Sequence, residues 1–138
     1  MHVTMIGTGY VGLVSGACFS EFGHSVVCVD TDESKIAALD AGEMPIYEPG
    51  LEQLVHSNVQ AGRISFSTEL GPAVAVADVV LIAVGTPARP GDGHADLSYV
   101  YSAAEKVADA LDGYTVVVTK STVPVGTGRQ VEKLIRER

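Results

Sequence analysis

The sequence predicts an α/β fold, a doubly wound parallel sheet with helices on both faces, spread over one domain of 138 residues. Three observations predict it. Short β-branched apolar runs alternate with stretches of helical spacing along the whole chain. A glycine triplet, GTGYVG at 7–12, stands between the first apolar run and the first helical one. An aspartate, Asp30, ends the second apolar run.

In chain order, HVTMI at 2–6 is short and apolar enough for a strand covered on both faces. A helix over about 10–22 follows, with Gly23 placed as its C-terminal cap. The second strand is SVVCVD at 25–30, after which Asp32 can cap a helix over 33–41. A second helical stretch at 50–58 leads to the strand RISFS at 63–67. A short helix near 69–76 precedes DVVLIAV at 78–84, the most apolar of the strands. The segment GTPARPGDGHAD at 85–96 breaks the rhythm: its Pro and Gly content opposes regular structure, and its length points to a ligand-serving loop. The helix SYVYSAAEKVADAL at 98–111, closed by Gly113, leads to the strand TVVVT at 115–119 and then to the helical run RQVEKLIRER. Parallel neighbours need crossovers, and crossovers are right-handed, so this order fixes helices on both sides of the sheet.

Composition bounds the rest. Apolar residues make up 46% and charged ones 19%, a globular balance, and no apolar run approaches the roughly 18 residues a membrane span needs. No basic n-region or cleavage pattern opens the chain, so a cytoplasmic location is expected. The net charge of -8, without a basic cluster, argues against nucleic acid and anionic membranes as partners. Cys18 and Cys28 are expected as reduced, buried thiols, neither placed to act as a nucleophile. The four histidines lack ligand spacing and no P-loop is present, so neither a metal site nor phosphoryl transfer is expected.

The glycines acquire a purpose from their context. After a strand and opening a helix, Gly7 permits a tight turn, Gly9 lets the backbone approach a pyrophosphate, and Gly12 lets the helix pack closely on the strand. The free amides of that helix start then hold the anion without any lysine. Asp30 follows Gly12 by about 18 residues, where a carboxylate accepts both hydroxyls of an adenosine ribose. Thr31, Asp32 and Glu33 come next with no arginine to receive a 2′-phosphate, which favours NAD over NADP. Two later segments, AVGTP and KSTVPVGTG, fall at the carboxyl ends of strands, where such Rossmann-like sheets bind ligands. Thr86 could face the cofactor's ribose or nicotinamide, while a plain turn is the bland alternative for GTP and a cap for STVP. Lys35 sits on the helix after Asp30, within reach of an adenosine-side hydroxyl or phosphate or simply solvated.

Taken together, GTGYVGLVSGACFSEFGHSVVCVDTDESKI, GEMPIYEPGLEQLV, AVGTP and KSTVPVGT resemble the NAD-binding domain of the UDP-glucose/GDP-mannose dehydrogenase family over essentially the whole chain. The resemblance implies NAD contacts at Val11, Asp30, Lys35, Thr86 and Thr122, with Thr122 nearest the chemistry. With the glycine loop, the candidate cofactor residues are Gly7, Gly9, Tyr10, Val11, Gly12, Asp30, Lys35, Thr86 and Thr122. It also implies a reaction in which a nucleotide sugar's primary alcohol is oxidised twice, through an enzyme-bound aldehyde and a cysteine thioester, with UDP-glucose as the first reading. GDP-mannose and UDP-N-acetylhexosamine stand as alternatives. Against the family pattern, residues 1–138 are expected to be a truncated, turnover-free fragment. The sixth strand, the dimer-forming central helix and the substrate domain with its catalytic cysteine would lie elsewhere, so no catalytic residue is assigned. Two other readings share the first motif: a stand-alone NAD-binding module, and an S-adenosylmethionine-dependent methyltransferase, which makes no use of the threonine segments.

Overall fold

The computed structural model describes residues 1–138. Its centre is a sheet of five parallel strands in the order β3-β2-β1-β4-β5, with β1 at His2–Ile6, β2 at Ser25–Val29, β3 at Ile64–Ser67, β4 at Val79–Ile82 and β5 at Val116–Thr119. The expected fold class is the observed one. Helices α1 (Tyr10–Glu21), α2 (Glu33–Asp40) and α3 (Leu51–Gln60) connect the strands on one side of β1. On the other side run α4 (Leu70–Ala75), α5 (Ser98–Ala110) and α6 (Thr127–Arg136).

Strand alternation sends successive side chains into two cores. Ile6, Val80 and Ile82 pack with Val74 of α4, Val100, Ala104 and Val107 of α5 and Val131 of α6. Val3, Met5, Val26, Cys28, Ile64 and Leu81 occupy the opposite face, while Leu13, Ala17, Ile36, Leu39, Leu51 and Val55 join α1, α2 and α3 beside it. Even the polar Thr4 is absorbed, its hydroxyl donating to the Ala73 carbonyl at 2.8 Å. Small residues bring α1 close to the sheet: a Cβ on Gly16 would sit 2.7 Å from Cys28 Sγ.

Several local expectations need correction. Gly113 does not cap α5; that helix ends where Leu111 turns extended at ψ 130°, and Gly113 takes φ +101° in the turn beyond. Cys18 is exposed, because α1 gives its buried face to Gly12, Leu13, Gly16, Ala17 and Ser20, and only Cys28 is buried. Burial pushes the Cys28 thiol up to about 12, which leaves it without thiolate near neutrality. The 85–96 segment is more ordered than its composition suggests. Ala88 and Ala95 form an antiparallel bridge, Arg89 and His94 close it through a 2.7 Å backbone bond, and Arg89 pairs with Asp92 at 2.9 Å.

β5 is an edge. It pairs with β4 alone, and Val116 is exposed. Unpaired edge strands template association. Sedimentation of the 138-residue chain at high concentration is expected to show reversible self-association that Val116→Lys suppresses; a clean monomer throughout would contradict it.

Candidate cofactor site

The sheet reverses its order between β1 and β4. The chain leaves β1 toward α1 on one face and leaves β4 toward α5 on the other, which opens a crevice at the carboxyl ends of the two strands. Every candidate residue lies on a turn, cap or first helical turn following a strand.

Gly7 shapes the floor. Its amide donates to the Val29 carbonyl at 2.7 Å, it adopts φ +104°, and a Cβ there would lie 2.6 Å from the Ala83 carbonyl oxygen. Both the dihedral and the space demand glycine. Gly12 closes the loop from above, since a Cβ on it would fall 1.9 Å from the Gly7 carbonyl oxygen. Gly12 thus makes the tight helix-to-strand approach expected of it, with α1 resting on the end of β1 and the Ala83 Cβ 3.5 Å from that same added atom, and Gly16 continues the approach one turn later against β2. Gly9 differs from both: nothing lies within 4 Å of where its Cβ would be. The fold gives no internal reason for glycine at position 9.

Gly9 stands at the head of an uncapped helix. No side chain caps α1, no acidic residue stands in its first turn, and the first helical backbone bond is Leu13 N–H to the Gly9 carbonyl at 2.9 Å. The amides of Tyr10, Val11 and Gly12 precede it, so they present unsatisfied donors and the positive end of the helix dipole. Val11 is exposed on this turn. Tyr10 is exposed too, and its hydroxyl donates to Glu48 at 2.7 Å, tying the helix start to the segment before α3. Hydrogen bonding to that carboxylate raises the Tyr10 phenol above its usual value.

Asp30 stands just past β2, its side chain 13% exposed. Its Oδ2 accepts the Thr8 amide at 2.9 Å and the Thr8 hydroxyl at 2.7 Å, and its Oδ1 accepts the Asp32 amide at 3.0 Å. Lys35 Nζ lies 3.9 Å from Oδ2. Burial works to raise this carboxyl, but the Thr8 and Asp32 donors, with Lys35 beside them, outweigh it and hold the group below the usual carboxylate range. Asp32 caps α2 as expected, accepting from the Ser34 amide at 2.9 Å and the Lys35 amide at 3.3 Å, which places Lys35 over Asp30.

The two threonine segments come together on the far side of the crevice. Thr86 Oγ1 donates to the Thr122 carbonyl at 3.0 Å, and Ser121 Oγ donates to the Val84 carbonyl at 2.7 Å. The turns after β4 and β5 are therefore stitched side by side, with the Thr122 residue exposed.

The profile of the UDP-glucose/GDP-mannose dehydrogenase family, NAD binding domain, matches residues 1–138. The chain belongs to this family. Within the UDP-glucose/GDP-mannose dehydrogenase family it is similar to UDP-glucose 6-dehydrogenase of Rhizobium meliloti (strain 1021), with 68% identity over 99% of this chain and 31% of the relative. A ternary complex of GDP-mannose dehydrogenase from Pseudomonas aeruginosa superposes with a TM-score of 0.94 at 38% identity, over 99% of this chain and 32% of that one. A UDP-glucose dehydrogenase from Pyrobaculum islandicum gives 0.91 at 43% identity, over 98% and 32%. The chain spans about a third of the length of the curated relatives it matches, and it is the family's NAD-binding domain.

Set against the residues expected from sequence, the family's domain gathers Gly7, Gly9, Gly12, Asp30 and Lys35 around the ends of β1 and β2 and joins Thr86 to Thr122 at β4 and β5. Thr8, Glu48 and Ser121 were not foreseen. Glu48 bonds Tyr10 from 38 positions away, and Thr8 bonds Asp30 from 22. The only advance signal for Thr8 was a hydroxyl between two glycines.

Proposed function

We propose that residues 1–138 act as one cofactor unit of an NAD-dependent nucleotide-sugar dehydrogenase, with UDP-glucose as the substrate whose primary alcohol is oxidised. The single observation that carries this is the uncapped start of α1 facing open space at Gly9, with Asp30 fixed at the end of β2. In this reading the amides from Gly9 to Gly12 hold the diphosphate, Val11 covers it, and Asp30 with Lys35 takes the adenosine ribose. Thr86 and Thr122 line the nicotinamide end. Bound NAD supplies a hydride acceptor. Residues 1–138 orient it and contribute no nucleophile, because Cys28 is buried as a thiol and Cys18 lies on the outer side of α1. Sugar selection and oxidation fall to chain outside these residues. UDP-glucose is preferred to GDP-mannose because the 68% identity is to a UDP-glucose 6-dehydrogenase, against 38% to the GDP-mannose enzyme.

Titration calorimetry of the purified chain with NAD, NADP and S-adenosylmethionine tests the cofactor. NAD is expected to bind, with NADP at least about tenfold weaker because Asp30, Asp32 and Glu33 repel a 2′-phosphate. Preference for NADP or for the methyl donor would overturn the reading.

A further inference from the structure

Asp30 enters the site with most of its hydrogen-bonding capacity already spent. An ionised carboxylate offers about four lone-pair positions. Thr8 fills two on Oδ2 with its amide and hydroxyl, and the Asp32 amide fills one on Oδ1. Thr8 itself is 1% exposed, and its one hydroxyl proton has no other acceptor within reach. A buried hydroxyl so committed fixes the carboxylate's rotation as well as its charge.

We propose that Thr8 is a positioning residue for cofactor recognition: it locks the Asp30 carboxylate so that Oδ1 is the oxygen left to read the ribose. The inference rests on the NAD reading above and deepens it, because it replaces a carboxylate offering both oxygens freely with one that presents a single open acceptor. A second ribose hydroxyl must then share Oδ2 with Thr8 or turn to Lys35, whose ammonium is 3.9 Å away. The charged groups facing Asp30 are few. Lys35 comes from α2, and the Asp32 carboxylate is turned to the α2 amides. β3 meets Asp30 only through the Ser67 carbonyl, which accepts the Asp30 amide at 3.1 Å.

Thr8→Val keeps the shape and removes the donor; Thr8→Ser keeps the donor. Thr8→Val is expected to weaken NAD binding about tenfold, and Thr8→Ser to stay within about twofold of the parent. Binding requires the ionised carboxylate, so affinity falls as pH drops through the Asp30 titration. Loss of the Thr8 donor leaves burial less opposed, and the acid limb moves to higher pH in Thr8→Val and stays in place in Thr8→Ser. Carbon-13 titration of the Asp30 carboxyl in the ligand-free variants follows the same group without cofactor. If Thr8→Val does not fold, Thr8→Ala takes its place as the donor-free variant: an Asp30 titration raised there and unmoved in Thr8→Ser supports the lock, and one equal to the parent's in Thr8→Ala overturns it. A folded Thr8→Val with an unmoved Asp30 titration, or an equal loss of affinity in both variants, overturns it as well. A parent chain that binds no NAD but keeps the Thr8-dependent titration would sink the cofactor reading and leave the lock standing.

Discussion

Gly12→Ala is expected to destabilise the chain by about 3 kcal/mol, at the upper end of the usual cost of overpacking, and to lower the thermal midpoint by roughly 10 °C. The added methyl would lie 1.9 Å from the Gly7 carbonyl oxygen. The obstacle is backbone, which no rotamer change relieves. Gly7 is itself held in place, because its amide donates to the Val29 carbonyl at 2.7 Å at the end of the sheet. The strain can be released only by lifting α1 from the end of β1, which also spoils the amide cluster. Gly9→Ala is the matched control. Its methyl enters open space, so stability should change by less than about 1 kcal/mol, the cost of alanine at an N-cap, while NAD binding falls. Thermal melts of the two variants, each with and without NAD, check the contrast; equal destabilisation by both would contradict it.

Asp30→Ala is expected to weaken NAD binding by about 1–3 kcal/mol, the scale of a charge-assisted hydrogen bond in a partly buried place. Two effects add. The ribose loses its acceptor, and the Thr8 hydroxyl, the Thr8 and Asp32 amides and Lys35 lose theirs. Asp30→Asn separates them, because the amide oxygen still accepts while the charge is gone. The charge also ties stability to pH. Asp30 titrates below its ordinary value in the folded chain, so its contribution is present above the unfolded value and is lost as pH falls through the folded one. The stability gap between parent and Asp30→Asn should therefore close in that acid window. Calorimetric dissociation constants and urea melts across pH measure both; an unchanged constant in Asp30→Ala removes Asp30 from the site.

How much of this was readable in advance depends on the distance over which each interaction acts. The five strands were legible because each is a short β-branched run that must be covered on both faces, and their ends moved by only a residue or two where the ladder stops. The Asp32 cap was legible because it bonds residues two and three positions on. The glycine loop was legible through its local conformation, and so was the close packing at Gly12, though not the atom it packs on. That contact with Gly7 exists only once the helix has turned back over the strand. Thr8, Glu48 and Ser121 act across 22, 38 and 37 positions, where single-residue chemistry carries no signal. The bridge between Ala88 and Ala95 was hidden for a different reason: glycines and prolines mark a turn without saying that its arms pair. Cys18 reads as buried because its sequence neighbours are apolar, whereas the buried face of α1 passes one residue to its side.

Amide chemical shifts of the isotopically labelled chain, followed as NAD is added, test the central claim most directly. Perturbations are predicted to concentrate at the amides of residues 9 to 13, at residues 30 to 35, and in the paired turns around Thr86 and Thr122. Saturating NAD that left the 9–13 amides unmoved and shifted another surface instead would contradict the account.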